Sequence, residues 1–354
     1  MKLKQITLAA AVVASGSALA DVKVYGVMDV NINNIKTVST SIHTFSSNNV
    51  VTSQSKTVTS ESQSGIGSNF LETSHIGFKG TEDLGGGLKA SFKLEAGINA
   101  DTGTVSQTIF NGESWVGLTG NFGTVQLGRT WTSFDDVAGA FNHADNINLS
   151  VTNFIWSQFG SGYEANSPNK IKYTLPLSGG LSASMDYSFG ENKTSTQKAD
   201  NVISLGAKYE SGPFSVGFAR QHQDKNITVG IPSANYFVKS KFNLIGAAYD
   251  FGAAKIVGSW SDMKVYQYEV NAKRYQVGVS FPLNASTLYF GYAQNNEISQ
   301  GDRADGYGYM LAVTHNLSKR TKVYAGYAIL REDVTGWTPT LDTRFTAVGL
   351  RHAF

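Results

Sequence analysis

From Val22 to the end of the chain one pattern repeats, a stretch of about ten residues in which apolar and polar side chains alternate, followed by a break that is by turns short and long. In the first stretch Val22, Val24, Met28, Val30 and Ile32 share one parity, and Asp21, Lys23, Asp29, Asn31 and Asn33 share the other. Successive side chains of a strand point to opposite faces, so such a strand has one apolar and one wet face. The code returns in Leu88, Ala90, Phe92, Leu94 and Ile98 against Lys89, Ser91, Lys93, Glu95 and Asn99, and in Ile171, Tyr173 and Leu175 against Lys170, Lys172 and Thr174. It returns again in Tyr275, Val277, Val279 and Phe281, and in Val323, Ala325, Tyr327 and Ile329. No helical period of comparable strength competes with it. The stretch Phe237 to Tyr249 is ambiguous, because Phe242 and Leu244 conflict in parity with Ile245 and Tyr249; its neighbours assign it as a strand.

A soluble sandwich also alternates, so the breaks decide. Short ones carry turn chemistry, as at Gly85-Gly86-Gly87, Asn121-Phe122-Gly123, Gly212-Pro213 and Asp250-Phe251-Gly252. Long ones are polar: Ile35 to Gly65, Thr130 to Pro168, Gly190 to Asp200 and Gln294 to Ala304. Tight turns on one side and long loops on the other are the rhythm of an outer-membrane barrel. The expectation is an all-β chain, a transmembrane antiparallel β-barrel of about sixteen strands, with short periplasmic turns and long extracellular loops. Aromatic residues near strand ends, among them Tyr25, Phe78, Trp115, Phe122, Tyr173, Tyr187, Tyr249, Tyr289 and Tyr292, fit interfacial girdles, with core packing as the alternative. The chain stops inside an alternating strand, with Val348, Leu350, His352 and Phe354 on one face, which suits a barrel that must pair its last strand with its first.

The first twenty residues read as a signal peptide: Lys2 and Lys4 precede an apolar run from Ile6 to Ala14, and Ala18-Leu19-Ala20 forms a small-residue cleavage site. Cleavage after Ala20 would leave 21–354 as the barrel, in the outer membrane of a Gram-negative cell. Lys2 and Lys4 account for the formal charge of +2, so the remaining chain is neutral and lacks the basic footprint of a nucleic-acid binder. There is no cysteine, which excludes disulfides and thiolate metal sites. After the leader no apolar run reaches the roughly 18 residues of a membrane helix.

The run Ser74-His75-Ile76-Gly77-Phe78-Lys79-Gly80-Thr81-Glu82-Asp83-Leu84-Gly85-Gly86-Gly87-Leu88-Lys89-Ala90 closely resembles a signature of the beta-proteobacterial general porins. Val116 to Arg129, Val24-Tyr25-Gly26-Val27-Met28-Asp29, Leu317 to Thr321 and the closing Val348 to Phe354 are similar to further family motifs, in order along the chain. The resemblance implies a sixteen-stranded homotrimeric diffusion pore for small hydrophilic solutes and ions, embedded in outer-membrane lipid and lipopolysaccharide. It also implies that the barrel-assembly machinery reads Phe354, His352 and Leu350. The third long loop, Thr130 to Pro168, is then expected to fold into the lumen and set its acids opposite a basic wall.

Inward parity makes Lys170 and Lys172 the first candidates for that wall, joined by His75 and Lys79. Asp135 and Asp136 are the matching loop acids, with Asp145 and Glu164 as further ones, and Glu113 is a lumen acid by parity. Family members with strong anion preference commonly carry arginine at the position of His75 and a basic or neutral residue at that of Glu113, so weak selectivity leaning to anions is expected. The inward set is still rich in bases, with Lys79, Lys89, Lys93, Lys208, Lys255, Arg274 and Lys322 against Glu95 and Asp186. Arg129 shares the outward parity of Val125 and Leu127 and is read as a rim or subunit-interface contact. Hydrolase and phosphate-binding motifs are absent, neither a cofactor nor a metal is expected, and the six histidines lie far apart. Two rivals remain open: a substrate-specific channel, and a surface adhesin or receptor on the same barrel.

Overall fold

The computed structural model describes residues 21–47, 50–105, 108–143, 150–156, 162–176, 179–195, 197–229, 234–267, 269–299, 302–334 and 340–354. The expected leader and its cleavage site at Ala20 lie outside them. The chain begins with β1 (Lys23–Ser47), β2 (Val50–Ser68), β3 (His75–Gly85), β4 (Leu88–Asn99), the two-residue β5 (Thr104–Val105), β6 (Glu113–Gly120) and β7 (Gly123–Trp131). Two short helices follow, α1 (Ser133–Ala140) and α2 (Val151–Ile155). It continues through β8 (Asn166–Pro176), β9 (Leu181–Ser188), β10 (Asn201–Ser211), β11 (Phe214–Val229), β12 (Ala234–Asp250) and β13 (Lys255–Val265). The last strands are β14 (Val270–Leu283), β15 (Ser286–Ser299), β16 (Asp302–Asn316), β17 (Thr321–Val334) and β18 (Thr340–Ala353).

Every pairing is antiparallel between chain neighbours, and β18 returns to β1 from Val27↔Ala353 to Thr40↔Thr340, which closes the sheet. Along its other edge β1 meets β3 over Lys23–Val27 and β2 above Val30, so β2 and β3 are one wall strand interrupted at residues 69–74. The small β5 pairs only with the end of β4. The closed wall therefore has sixteen strands, as the rhythm of turns predicts. Closure removes the unpaired edge that a membrane would not tolerate.

Parity sorts the side chains as expected. Ile32, Val116, Leu127, Ile171, Met185, Ile203, Ile245, Val277, Leu311 and Val348 lie outward and are 44–70 % exposed, an apolar band for lipid. Asp29, Asn31, Gln221, Gln276 and Asn295 lie inward. The aromatic expectation is corrected in part: Phe78, Phe122, Tyr187 and Tyr249 are exposed outward, but Tyr25, Trp115 and Tyr289 share the parity of the lumen. Two stretches expected as loops are also corrected. Residues 35–47 and 50–65 pair as a tall extension of β1 and β2 up to Ser47↔Val50, and 294–299 and 302–304 are strand. The first of these is rich in Thr and Val, which suit an extended ladder.

Candidate functional site

Between β7 and β8 the chain turns into the barrel, and its entry is pinned by the residues expected to line an open wall. Lys170 Nζ donates to the Thr130 carbonyl at 2.7 Å and lies 3.7 Å from Asp186. Lys172 Nζ donates to the Trp131 carbonyl at 2.9 Å and to Asp136 at 2.6 Å. Asp186 also accepts the Ser133 amide at 2.6 Å and the Ser204 hydroxyl at 2.5 Å. Both lysines point inward, as parity requires, yet they are 1 % and 5 % exposed because the loop covers them. The two lysines thus meet the loop and not open water, with Asp136 set against Lys172 and its own side chain still 36 % exposed.

The α1 helix starts at Thr132, whose hydroxyl accepts the Asp135 amide at 3.1 Å. Phe134 packs against Tyr163 and Phe242, with ring centroids 4.6 and 6.2 Å away. Asp135 accepts the Tyr163 hydroxyl at 2.8 Å beside a cavity of about 270 Å³ inside the loop. Burial pushes its carboxyl up to about 6, a shift that the hydrogen bond from Tyr163 opposes. The parity conflict in β12 now has its cause. Phe242 and Leu244 face inward and are 1 % and 0 % exposed, because they are the floor on which the loop lies.

The rest of that floor is made of glycine. Gly217 and Gly246 are register partners on β11 and β12, and a Cβ on either would collide with the Phe141 ring. Gly278 and Gly291 are partners on β14 and β15, and a Cβ on either would collide with His143. His143 is fully buried; its Nδ1 lies 3.0 Å from Gln276 Oε1 and 2.8 Å from Thr152 Oγ1, and its Nε2 lies 3.1 Å from Ser150 Oγ. Burial lowers its pKa to about 4. Gln276 donates to the Phe141 carbonyl as well, so one wall side chain holds two consecutive turns of the loop. Beyond it α2 lies over β15, β16 and β17, with Val151 and Ile155 buried.

A second segment narrows the lumen from the other side. Residues 69–74 fold inward over β1, and the Asp29 carboxylate accepts the amides of Leu71 and Glu72 at 2.6 and 2.7 Å and the Tyr324 hydroxyl at 2.6 Å. Phe70 meets Phe345 on β18, and Phe345 meets Phe154 of α2 at 5.1 Å, so the two inward segments share one aromatic contact. Glu72 pairs with Arg351 at 2.7 Å.

The remaining wall, formed by β1, β3, β4 and β6, carries the other expected residues. Lys23, Lys79 and Lys93 stand in register across three strands. Lys93 sits between Glu95, at 3.1 Å, and Glu113. Glu113 is 6 % exposed and accepts the Trp115 indole at 2.9 Å and the Thr130 hydroxyl at 3.0 Å, so it also steadies the loop entry. His75 Nε2 is 3.8 Å from Glu95, which further accepts the Tyr25 hydroxyl at 2.8 Å. Lys79 is different: it is exposed, lies 4.4 Å above the Tyr25 ring, and has no carboxylate within 4.0 Å.

Among the described residues Lys89, Lys208 and Lys322 share that lack of an acidic partner within 4.0 Å and the inward parity. The loop acid Glu164 pairs with Lys225, and Asp145 lies outside the described residues. Arg129 has outward parity and donates to the Asn111 carbonyl at 2.7 Å. Phe354 exchanges backbone hydrogen bonds with Gly26 at 3.1 and 3.2 Å, and its ring covers the space a Gly26 Cβ would need. Leu350 faces outward, and His352 lies 2.9 Å from the Thr321 hydroxyl. Sequence reasoning missed the glycine floor, Phe141, His143 and Asp29; only the apolar parity breaks at Phe242 and Leu244 signalled the seat.

The chain has clear relatives. A family model described as Gram-negative porin matches residues 7–335. Outer membrane porin protein 32 of Delftia acidovorans is 30 % identical, over 93 % of this chain and 89 % of its own length. A solved anion-selective porin from Comamonas acidovorans superposes with a TM-score of 0.76 at 26 % identity, covering 95 % of this chain and all of the other. The trimer form of Vibrio cholerae OmpT shares the fold at 17 % identity, with a TM-score of 0.68 over 94 % of this chain and 99 % of its own.

Proposed function

The chain belongs to the Gram-negative porin family, and from that premise we propose that its barrel is a water-filled outer-membrane channel for small hydrophilic solutes and ions with a slight preference for anions. One observation carries the selectivity. Most inward charges are neutralised in pairs, Lys93 with Glu95 and Glu113, Lys170 with Asp186, Lys172 with Asp136, Lys225 with Glu164 and Arg351 with Glu72. Lys79, Lys89, Lys208 and Lys322 have no acid within 4.0 Å, against the inward Asp83 and Glu210 without a base and one acid in excess in the Lys93 cluster, so the balance is only slightly basic. Two unit charges about 7 Å apart in water interact by roughly 0.6 kcal/mol, and salt at 0.1 M screens over about 10 Å. A few solvated lysines therefore bias the traffic without committing it.

The neutralised pairs serve geometry. They hold the inward loop at its entry, so the constriction has a fixed shape and the passing ion meets side chains that do not need to rearrange. Anion selectivity in the Comamonas porin supports the sign of the preference. The homotrimer, the surrounding lipopolysaccharide, cleavage after Ala20 and recognition of Phe354 by the assembly machinery belong to the same reading. The trimer form of OmpT and the outward apolar faces of β1, β3 and β18 are consistent with it.

Planar-bilayer recording tests the channel. Insertion should give discrete conductance steps and, in a salt gradient, a small anion-selective reversal potential. The double variant Lys79→Gln, Lys208→Gln should move that potential toward cations. A silent barrel would overturn the channel, and an unmoved potential would remove these lysines from its filter. Intact-mass measurement of the protein from outer membranes should give a chain starting at Asp21.

A further inference from the structure

The cavity of about 270 Å³ beside Asp135 opens between the two helices of the inward loop. From α1 it is lined by Asp135, Ala138 and Asn142, on a different face of the helix from Val137 and Phe141, which touch the glycine floor. From α2 it is lined by Asn153 and Trp156, and Tyr163 of the returning chain adds a third side. Asn153 is exposed to the water of the barrel interior, whereas Asn142 and Trp156 are 9 % and 8 % exposed. A single water needs only about 10–15 Å³ on the same scale, and small-ligand pockets begin at roughly 300 Å³. The cleft is therefore of ligand size.

Two polar groups at this cleft are short of partners. The Trp156 indole N–H is buried and has no acceptor among the described residues. Asp135 accepts one hydrogen bond on its carboxylate, from Tyr163 at 2.8 Å, where a carboxylate has room for roughly four. The neighbouring amides are already engaged, since Asn142 donates to Asn153 at 2.9 Å and accepts the Ser150 hydroxyl at 2.7 Å. A buried donor without an acceptor is costly, so the indole marks a place where an oxygen belongs. One chemical group serves both orphans: a hydroxyl accepts from the indole and donates to the carboxylate. An ammonium can only donate and would leave the indole unpaired. An anion can only accept and would face Asp135, and among the described residues no lysine or arginine lines the cleft to offset that repulsion. The nearby Lys172 is held by Asp136 and the Trp131 carbonyl. The Trp156 ring and Ala138 give the same cleft apolar surface, which matches the C–H face of a hydroxylated ring.

We propose that the cleft between α1 and α2 binds a neutral monosaccharide. Its hydroxyls accept from the Trp156 indole and donate to Asp135, and its C–H face lies on the Trp156 ring and Ala138. A sugar held there stands on the lumen side of the inward loop, so it disturbs the current without being swept along with it. Only that last consequence rests on the channel reading; binding itself is read without any current.

Saturation-transfer NMR of the detergent-solubilised barrel tests the site, with glucose as the probe and glucuronate as an anion on the same ring. The wild type should transfer saturation to the glucose ring protons and far less to glucuronate. Trp156→Phe, which keeps an apolar ring but removes the N–H, should bind glucose roughly fivefold more weakly, the share of one neutral hydrogen bond. Ala138→Leu, which fills the cleft from its wall, should abolish the transfer. Heat-modifiable gel migration confirms that each barrel is folded, and Ala138→Leu alone serves if Trp156→Phe does not fold. In planar bilayers, millimolar glucose should add current fluctuations to the wild type and none to Ala138→Leu. No transfer from the wild type, equal transfer to glucose and glucuronate, unchanged transfer in Ala138→Leu, or a wild-type current that glucose leaves undisturbed would each overturn the proposal. A barrel that passes no current yet transfers saturation to glucose would overturn the channel and leave the binding site standing.

Discussion

Lys170 and Lys172 show how far parity reaches. Their inward direction is legible from alternation alone, but inward means facing water only where nothing else enters the barrel, and here the loop does. Removing Lys172 leaves the Trp131 carbonyl short of a partner, while the partly exposed Asp136 turns to water, so the loss is about 1 kcal/mol. Lys172→Met should therefore give larger and noisier single-channel steps with little change in reversal potential, the opposite signature to Lys79→Gln. The loop's two buried titratable groups add a pH dependence whose sign can be worked out. Asp135 is raised by burial from an ordinary ~3.9 to about 6, so the stability it lends is fully present below about pH 4 and is lost as pH rises through 6. His143 is lowered by burial from about 6.5 to about 4, so its share is present above 6.5 and lost as pH falls through 4. Both changes fall between pH ~4 and ~6.5 with opposite signs and so offset one another in the wild type, and Asp135→Asn, which removes the first, should unmask loop noise that grows as pH falls from ~6.5 to ~4. The same pH profile in wild type and Asp135→Asn would dismiss Asp135 as a contributor.

At the scale of elements the strands were legible and the loop's path was not. Alternation depends on one residue's neighbours in sequence, whereas the seat of the loop depends on side chains from β10 to β17 that meet only after closure. The signal was present in a form that reads as noise: apolar Phe242 and Leu244 at inward positions, and inward glycines where a wet wall would carry polar side chains. The tall β1–β2 hairpin was misread for another reason, since its Ser and Thr look like loop composition although Thr and Val also favour extended chain. The glycine floor can be tested by filling it. Gly246→Val places its side chain where the Phe141 ring lies, and the floor there is backbone and cannot yield. Overpacking of this kind costs roughly 1–3 kcal/mol, and since the strand backbone cannot shift without breaking its ladder, the loop should absorb it by lifting around Phe141. The variant should keep the heat-modifiable migration of a folded barrel and show an enlarged conductance. Wild-type conductance from a folded Gly246→Val barrel would mean that the loop is not what narrows the pore.

For the whole molecule the seam between β1 and β18 decides whether a barrel exists at all. Fourteen register pairs from Val27↔Ala353 to Thr40↔Thr340 join the first strand to the last, and the strand β1 that closes the seam also carries Asp29, which ties in the segment 69–74 and Tyr324. Closure therefore links the wall, the inward segment and β17 in one event. Phe354 lies at the periplasmic end of that seam, where its amide and carbonyl pair with Gly26 and its ring lies on the flat surface that Gly26 leaves. Its side chain is 45 % exposed, so Phe354→Ala should cost less than the 3–5 kcal/mol of a fully buried ring, about 1–2 kcal/mol. A loss that small does not unfold a barrel once it is closed. It acts on the rate of closing, because the last strand must find the first before the remaining edges are shielded. Refolding into detergent followed by gel migration should show Phe354→Ala reaching the same folded fraction as the wild type but more slowly, with the largest deficit at early times. A lower final fraction with an unchanged rate would instead place the ring's contribution in the finished seam.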